Sequence, residues 1–196
     1  MAQSLDSVAL KQLFLSARSH NLWQDRDIPD ALLQQLYQLL RQGPTSSNCC
    51  PARFVFVRSP EAKQKLLPAL KGHNGEKMLQ APITAIVAWD SRFYELLPEL
   101  FPGYDAGAVY RENPDAAFVA ALRNSSLQGA YLILAARALG LDCGPMSGFD
   151  NAQVDSAFFP DGQWRSSFLC CLGYGDDAGL RPAGPRLPFE QACRVL

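Results

Sequence analysis

The sequence predicts a domain of the α+β class, with helices and strands in mixed order. Helical spacing of apolar residues is clearest over 28–44 and 124–140. Three runs predict strands: RFVFVR (53–58), ITAIVAW (83–89) with its β-branched and apolar content, and the apolar run FLCCLGYG (168–175). The chain has 196 residues, of which 48% are apolar, so we expect a single domain over 1–196 with one sizeable core.

In the first half of the chain, helices are predicted both before and after the first strand in sequence. Residues 5–17 carry apolar side chains at helical spacing, and 28–44 predict a second helix that Pro29 begins and Gly43 ends. The segment 59–72 predicts two short helices that separate at Pro68.

The second half predicts one irregular segment, one long helix and a tail. Residues 91–120 contain several prolines and glycines, which favour short helices and a mobile excursion. Residues 124–140 predict the strongest helix, with Asn124, Ser125 or Ser126 as its cap. Three prolines in the tail, about 178–196, predict an extended arm.

Composition argues against several classes of protein. The net charge is −1 and the longest basic cluster, 63–71, is mild, so neither a nucleic-acid nor a polybasic membrane surface is expected. No apolar run approaches the ~20 residues of a membrane span. The first residues lack a cationic stretch followed by an apolar one, so we expect no signal peptide and a cytoplasmic protein.

Common catalytic and metal motifs are missing from the sequence. No metal site is expected, because the six cysteines lack C-x-x-C spacing and there are only two histidines. Cys170 and Cys171 are interpreted as small buried side chains. Neither glycine-rich phosphate fingerprint is found, and there is no G-x-S-x-G elbow. A nucleotide would therefore have to be bound by side chains and short loops.

Four segments together resemble the flavin-dependent nitroreductase family. They are ARSHNLW (17–23), GPTSSNCCPARFVFV (43–57), HNGEKMLQAP (73–82) and ALGLDCGPMSGFD (138–150), and their order and spacing extend the resemblance over nearly the whole chain. GPMSGFDNAQVD (144–155) is most similar to the malonic semialdehyde reductase branch, which acts in bacterial pyrimidine degradation. The resemblance implies a mostly antiparallel sheet flanked by helices, and a domain-swapped homodimer with FMN at the subunit interface.

Family position also implies which residues bind FMN. They are Arg18, Ser19, His20, Pro44, Thr45, Ser46, Asn48, Asn74, Lys77, Pro145, Met146, Ser147, Gly148 and Arg186. Arg18 and Arg186 suit the phosphate because a guanidinium meets phosphate oxygens in a bidentate way. Asn74 and Lys77 suit the polar pyrimidine edge, and 145–148 suit the flavin ring. The small, polar turn 43–50 lets backbone approach the cofactor.

The resemblance implies an FMN-dependent NAD(P)H oxidoreductase with ping-pong hydride transfer. The flavin N5 carries the hydride, so no catalytic side chain is expected. The donor is NADH or NADPH, and the implied acceptor is malonic semialdehyde, which gives 3-hydroxypropanoate. The carboxylate of this acceptor needs a cation, for which Arg53 and Arg111 are the first candidates and Arg123 a further one. The alternative is that all three are solvated surface arginines without a role in binding.

Other functions stay open on the sequence alone. The first alternative is a broad nitroreductase or quinone reductase, whose true acceptors are nitroaromatics or quinones. A flavin-binding protein without turnover is a second alternative. A cysteine-dependent enzyme built around Cys49 and Cys50 is a third, although no histidine lies near them in sequence to activate a thiol.

Overall fold

A four-stranded antiparallel sheet forms the centre of the fold. The computed structural model describes residues 3–196. The strands are β1 (Ala52–Val57), β2 (Ile83–Asp90), β3 (Asp142–Met146) and β4 (Trp164–Gly173). Their order across the sheet is β1-β2-β4-β3, and each neighbouring pair is antiparallel. The predicted α+β class with an antiparallel sheet is confirmed.

Helices cover both faces of this sheet. The helices within residues 3–196 are α1 (Ser7–Leu10), α2 (Asp30–Leu40), α3 (Pro60–Leu66), α4 (Asn74–Gln80), α5 (Leu97–Leu100), α6 (Ala108–Glu112), α7 (Pro114–Ala138), α8 (Asn151–Phe158) and α9 (Phe189–Ala192). A π-helical turn, Lys11–Leu15, continues α1, and a 3-10 turn, Leu67–Ala69, follows α3.

The central strand β2 contributes to the cores on both faces of the sheet. Ala85 and Val87 pack with buried residues of α2 and α7 on one face. Ile86 and Ala88 pack on the other face with Met78 of α4 and buried residues of α3 and α8. Because side chains alternate along a strand and both faces are covered, the sequence of β2 is almost continuously apolar.

The longest helix begins earlier than the sequence predicted. The Asn113 side chain accepts a hydrogen bond from the Ala116 N–H at 3.0 Å, and Pro114 occupies the first turn. Proline was interpreted as a breaker of 91–120, but at this position it starts a helix. The proposed cap at Asn124, Ser125 or Ser126 is wrong, because all three lie within α7, and the irregular segment ends at 113.

A strand was also missed at the glycine-bearing segment before 148. Residues 142–146 form β3, which pairs only with β4. Pro145 is tolerated because β3 is an edge strand and proline has no N–H to donate. The tail beyond Gly179 contains only the short α9, and most of its residues are exposed.

None of the helices within residues 3–196 is long and apolar enough to cross a membrane. Over the same residues, no group of three or more His, Cys, Asp or Glu side chains comes together as a metal site would require. All six cysteines are free thiols, and Cys170 and Cys171 are fully buried.

Candidate functional site

The turn before β1 has an unusual backbone. Ser47, Asn48 and Cys50 have φ values of 49°, 51° and 39°, in the left-handed region that side chains other than glycine rarely adopt. Such conformations persist only where the surroundings hold them. Thr45 Oγ1 accepts a hydrogen bond from the Cys50 N–H at 3.1 Å, which closes the turn on itself.

Two amide side chains of α7 accept hydrogen bonds from the backbone at the two ends of this turn. Asn124 Oδ1 accepts from the Ser46 N–H at 2.8 Å, and Gln128 Oε1 accepts from the Ala52 N–H at 2.9 Å. Asn124 and Gln128 are buried and four residues apart, so they lie on one face of the helix. The turn therefore presents Pro44, Ser46 and Asn48 to the outside in a fixed conformation, since these three remain exposed.

Asn48 also connects the turn to the irregular segment. Its Nδ2 donates to the Leu100 carbonyl at 2.8 Å, and its Oδ1 accepts from Cys50 Sγ at 3.4 Å. Burial raises the pKa of the Cys49 thiol to about 11, so at neutral pH this group is a neutral thiol. An activated thiolate at Cys49 is therefore disfavoured, which weakens the cysteine-enzyme alternative.

A cavity lined by arginines lies near the C-terminal end of α7. Its volume is about 510 Å³, and its lining includes Arg18, Ser19, Arg137, Arg181 and Arg186 but no carboxylate. Arg18 donates to the Arg181 carbonyl. Arg137 Nη1 donates to the Leu13 carbonyl at 3.0 Å, whereas Arg137 Nε is buried without an acceptor. Four arginines and no carboxylate line this one concave surface, a composition that suits an anion such as phosphate.

The side chain of His20 lies between two carboxylates. The ring is buried, with Nε2 at 3.3 Å from Asp177 Oδ1 and Nδ1 at 3.5 Å from Asp142 Oδ1. The His20 backbone N–H donates to the Cys143 carbonyl at 3.0 Å. His20 therefore joins the 17–23 segment to β3 and to the turn after β4, and within this protomer its ring nitrogens face carboxylates.

Lys77 and Asn74 lie beside β3 and the segment that follows it. Lys77 is buried, burial lowers its pKa, and no acceptor within residues 3–196 accepts a hydrogen bond from its ammonium group. A Cβ on Gly144 would lie 2.8 Å from Lys77 Nζ, so this glycine leaves the space that the lysine occupies. Asn74 Nδ2 donates to the Gly148 carbonyl at 2.9 Å, which leaves its Oδ1 available.

The residues 145–148 alternate in direction. Pro145 and Ser147 are exposed, whereas the Met146 side chain is buried in the core with Leu169 and Phe149. Only Pro145, Ser147 and the backbone of Gly148 therefore face outward in this protomer. The Met146 side chain is not on the surface that was predicted to line the flavin ring.

The predicted site residues form two groups at opposite edges of the sheet. The turn 44–48 leads into edge strand β1, whereas Lys77 adjoins β3, the other edge. Strands are spaced about 4.8 Å apart, so three intervals separate these edges by roughly 14 Å. One protomer therefore does not bring the two groups together.

The three candidate substrate arginines also differ in their surroundings. Arg53 Nη2 pairs with Asp90 Oδ2 at 2.7 Å, and Arg53 Nη1 donates to the carbonyls of Cys50 and Ala52. Arg111 pairs with Asp105. Arg123 is an exposed residue of α7 and makes no ion pair within residues 3–196.

Comparison with known proteins gives the family. The profile of the nitroreductase family matches residues 14–174. The chain belongs to the nitroreductase family. This confirms the predicted fold and the predicted enzyme class, an oxidoreductase of the nitroreductase type.

Relatives of the chain match it over almost the full length. Two of them, from Ralstonia nicotianae and Stutzerimonas stutzeri, are provisionally named NADH dehydrogenase/NAD(P)H nitroreductase. The first is 54% identical over 98% of this chain and 99% of its own length. The second is 58% identical over 98% of both chains.

Solved structures share the fold at low sequence identity. A nitroreductase-type protein from Bacillus subtilis superposes with a TM-score of 0.87 at 22% identity, and covers 97% of this chain and 100% of its own. Another, from Exiguobacterium sibiricum, was solved in complex with FMN and has a TM-score of 0.84 at 21% identity over 100% of both chains.

Four residues of this region escaped the sequence analysis. Arg137 and Arg181 line the cavity, and Asn124 and Gln128 hold the turn. A signal for the amides was available, because Asn124 and Gln128 are four residues apart and so share one face of α7, and buried polar groups are normally hydrogen-bonded. The arginines gave no such signal, since convergence of distant residues is a property of the fold.

Proposed function

We propose that this nitroreductase-family chain is an FMN-dependent NAD(P)H oxidoreductase that reduces malonic semialdehyde to 3-hydroxypropanoate. The observation that carries the flavin assignment is the carboxylate-free cavity lined by four arginines, together with a buried lysine whose ammonium has no acceptor. FMN, when bound, supplies the hydride chemistry between the nicotinamide and the acceptor.

The residues present fit this cofactor. Arg18 and Arg186 would hold the phosphate, and Ser19 can add a hydroxyl donor. The buried Nε of Arg137 is an unused donor in the same region. A buried N–H without a partner is unfavourable by roughly 1–3 kcal/mol, and an oxygen of a bound anion would relieve this.

Lys77 would serve the polar edge of the flavin ring. Its ammonium lies in a poorly solvated position where its charge is costly without an anionic or carbonyl partner, as its lowered pKa indicates. Placed beside the pyrimidine edge, Lys77 stabilises negative charge there, and Asn74 Oδ1 remains available to accept a hydrogen bond.

A homodimer would complete each site. Because the turn 44–48 and the Lys77 group lie at opposite edges of one sheet, a two-fold partner would supply the missing half to each. Several large apolar side chains are exposed in the protomer, among them Phe14, Leu15, Phe118, Val119, Leu127, Tyr131, Leu187 and Phe189. Exposed apolar patches are typical of surfaces that another chain covers.

The C-terminal arm gives this dimer its exchanged element. Strand β1 is an edge of the sheet, and such an edge exposes unpaired N–H and C=O groups. The arm, about 178–196, carries exposed Leu187, Phe189, Val195 and Leu196. Wrapping the arm over the partner would bury these residues.

The choice of acceptor rests on sequence resemblance at GPMSGFDNAQVD (144–155). The names of the two relatives, which specify an NAD(P)H nitroreductase, favour a second candidate, a broad nitroreductase or quinone reductase. The two candidates differ in the charge of the acceptor, because only the semialdehyde carries a carboxylate.

One set of measurements tests these assignments. Purified protein is expected to be yellow, with flavin bands near ~450 and ~370 nm. Oxidation of NADH or NADPH should give parallel double-reciprocal plots, which indicate a ping-pong mechanism. Specificity constants for malonic semialdehyde, a nitroaromatic and a quinone then rank the acceptors. A colourless protein that binds no added FMN contradicts the cofactor assignment, and a quinone or nitroaromatic preference replaces the semialdehyde assignment with the second candidate.

Removal of residues 187–196 tests the dimer while retaining Arg186. Sedimentation is expected to show a dimer for the full chain and a larger monomer fraction for the shortened one. An unchanged dimer would contradict the proposed role of the arm.

A further inference from the structure

The C-terminal arm begins beside the segment 17–24. The Asp176 N–H donates to the Leu22 carbonyl at 3.0 Å. Further along, the Arg18 side chain donates to the Arg181 carbonyl. Two of the four arginines in the arginine-lined cavity belong to this arm. The shape of the cavity therefore depends on where the first residues of the arm are held.

The side chain of His20 links the segment 17–24 to the start of the arm from inside the fold. Its ring is buried, and Nε2 lies 3.3 Å from Oδ1 of Asp177, which immediately precedes the arm. On the other side, Nδ1 lies 3.5 Å from Asp142 Oδ1 in β3 and makes no hydrogen bond. Asp142 is itself fixed, because its Oδ2 accepts from the Gly175 N–H at 2.9 Å. A Cβ on Gly175 would overlap the ring, so glycine at this position leaves the space that His20 occupies.

The protonation state of His20 decides how many carboxylates it can hold. A neutral imidazole has one N–H and one lone pair, and a carboxylate only accepts hydrogen bonds, so the neutral ring can donate to one of the two. The protonated ring has two N–H groups and can donate to both. Lys77 of α4 also faces His20, but on the side of the backbone carbonyl, since a Cβ on Gly144 would meet both groups.

Asp177 is the carboxylate that is free to leave the ring. Its side chain is 88% exposed, and within residues 3–196 it makes no ion pair other than the one with His20. Histidine is the side chain that ordinarily changes charge between about pH 5 and 8. Loss of the proton would release one carboxylate, and with Asp177 the start of the arm would lose its link to the buried ring.

We propose that His20 is a positioning residue for the arginine-lined cavity. Its protonated ring joins Asp142 to Asp177 and thereby fixes the start of the C-terminal arm. The arm in turn holds Arg181 and Arg186 in the cavity, so His20 acts through the arm and does not touch the cofactor. FMN therefore binds more weakly when the ring loses its proton. This inference rests on the proposed function, because it takes the phosphate of FMN as the anion in the cavity.

The expected pH dependence has a diagnostic sign. A phosphate monoester gains its second negative charge near pH ~6, which by itself would strengthen binding to arginines as pH rises. Loss of the His20 proton acts in the opposite direction, because it releases the arm. A decrease in FMN affinity above neutral pH is therefore opposite to the effect of the phosphate.

The test uses two variants and a matched control. His20→Gln removes the charge of the ring, and Asp177→Asn removes its exposed partner with little risk to folding. His73→Gln is the control, because His73 is the other histidine of the chain and its Nδ1 lies 3.5 Å from Glu76 Oε2 on the surface. FMN affinity is measured by flavin fluorescence between about pH 6.5 and 8.5, with riboflavin as the ligand that lacks the phosphate. Hydrogen exchange of the FMN-free chain reports the protection of the amides in 177–186, corrected for the intrinsic effect of pH on exchange.

The expected result is a pH dependence that needs both His20 and Asp177. In the wild type and in His73→Gln, the dissociation constant of FMN rises by about tenfold over this range, as loss of one charged hydrogen bond predicts, and protection of 177–186 falls. His20→Gln and Asp177→Asn each remove most of this dependence, and at low pH they bind FMN about as weakly as the wild type does at high pH. Combining them adds nothing further, because both break the same contact. Riboflavin affinity is independent of pH in every variant.

Failure of the inference is separable from failure of the proposed function. The inference is overturned if Asp177→Asn keeps the pH dependence of the wild type, and this variant decides the question even if His20→Gln does not fold. It is also overturned if His20→Gln loses FMN while the protection of 177–186 is unchanged, since His20 would then contact the cofactor directly. A wild type that binds no FMN, yet shows a pH-dependent protection of 177–186 that Asp177→Asn abolishes, contradicts the cofactor assignment and supports the inference.

Discussion

Gly144 offers a quantitative test of how the Lys77 region is built. A Cβ at this position would lie 2.5 Å from the His20 carbonyl oxygen and 2.8 Å from Lys77 Nζ. The lysine can move, but the His20 backbone is held by its hydrogen bond to the Cys143 carbonyl at 3.0 Å. Gly144→Ala must therefore displace β3 or the 17–23 segment by several tenths of an ångström.

Overpacking of this kind destabilises proteins by about 1–3 kcal/mol. For a chain of this size each kcal/mol lowers Tm by about 2–4 °C, so Gly144→Ala is expected to lower Tm by roughly 2–12 °C. The same displacement moves Lys77 Nζ, and we expect FMN binding to weaken by about tenfold, as loss of a charged hydrogen bond predicts.

The assay combines urea unfolding of the apo-protein with FMN titration by flavin fluorescence. Gly184→Ala is the stability control, because its Cβ would meet no atom closer than Arg186 Nη1 at 3.6 Å. The double variant Gly144→Ala/Lys77→Ala relieves the clash with the lysine, whereas the clash with the His20 carbonyl oxygen remains. An unchanged urea midpoint and unchanged FMN affinity for Gly144→Ala would refute the close packing described around β3.

Further predictions concern the arginine cavity, the turn and the thiols. Arg18→Ala and Arg186→Ala should each lose FMN on dialysis, because a charge-assisted pair is worth roughly 1.5–3 kcal/mol; full occupancy in both variants would mean that the phosphate lies elsewhere. Asn124→Ala should lower the free energy of unfolding by about 1–3 kcal/mol by leaving the Ser46 N–H unpaired, with Ser126→Ala as the exposed control; equal urea midpoints would contradict this role. Combined Cys49→Ser and Cys50→Ser substitution should retain a good part of the turnover, because the flavin does the transfer; complete loss with FMN still bound would revive the thiol mechanism. Since burial raises the pKa of Cys49 to about 11, iodoacetamide at pH 8 should modify the exposed Cys193 well before Cys49, as peptide mass spectrometry would show.

Local sequence patterns predicted those elements whose signals are themselves local. The predicted strands at 53–58 and 83–89 lie within one residue of β1 and β2, because β-branched and aromatic runs bounded by turn residues are explicit. Helix α7 was misjudged at its start for a physical reason. Proline disfavours the helix interior but favours the first turn, and only the preceding Asn113 cap distinguishes these two cases.

The sequence motifs name candidate site residues, but they do not give the geometry of those residues. Arg18 and Arg186 are far apart in sequence and meet in one cavity, which only the resemblance anticipated. The ring of His20 lies beside two carboxylates and the side chain of Met146 is buried in the core, and neither direction follows from the motif. A motif identifies position in the chain, whereas the direction of a side chain depends on what packs around it.

Helix α7 runs between the turn 44–48 and the arginine-lined cavity. Asn124 and Gln128 near its middle fix the turn, whereas Arg137 in its last turn lines the arginine-lined cavity. Thirteen residues separate Asn124 from Arg137, a rise of roughly 20 Å along a rigid element. In a two-fold dimer, the turn from one protomer and the cavity from the other would meet at each site, so the packing of α7 against the partner would set the distance between them. The buried amides of α7 are therefore better understood as positioning groups for a composite site than as a defect in an apolar helix.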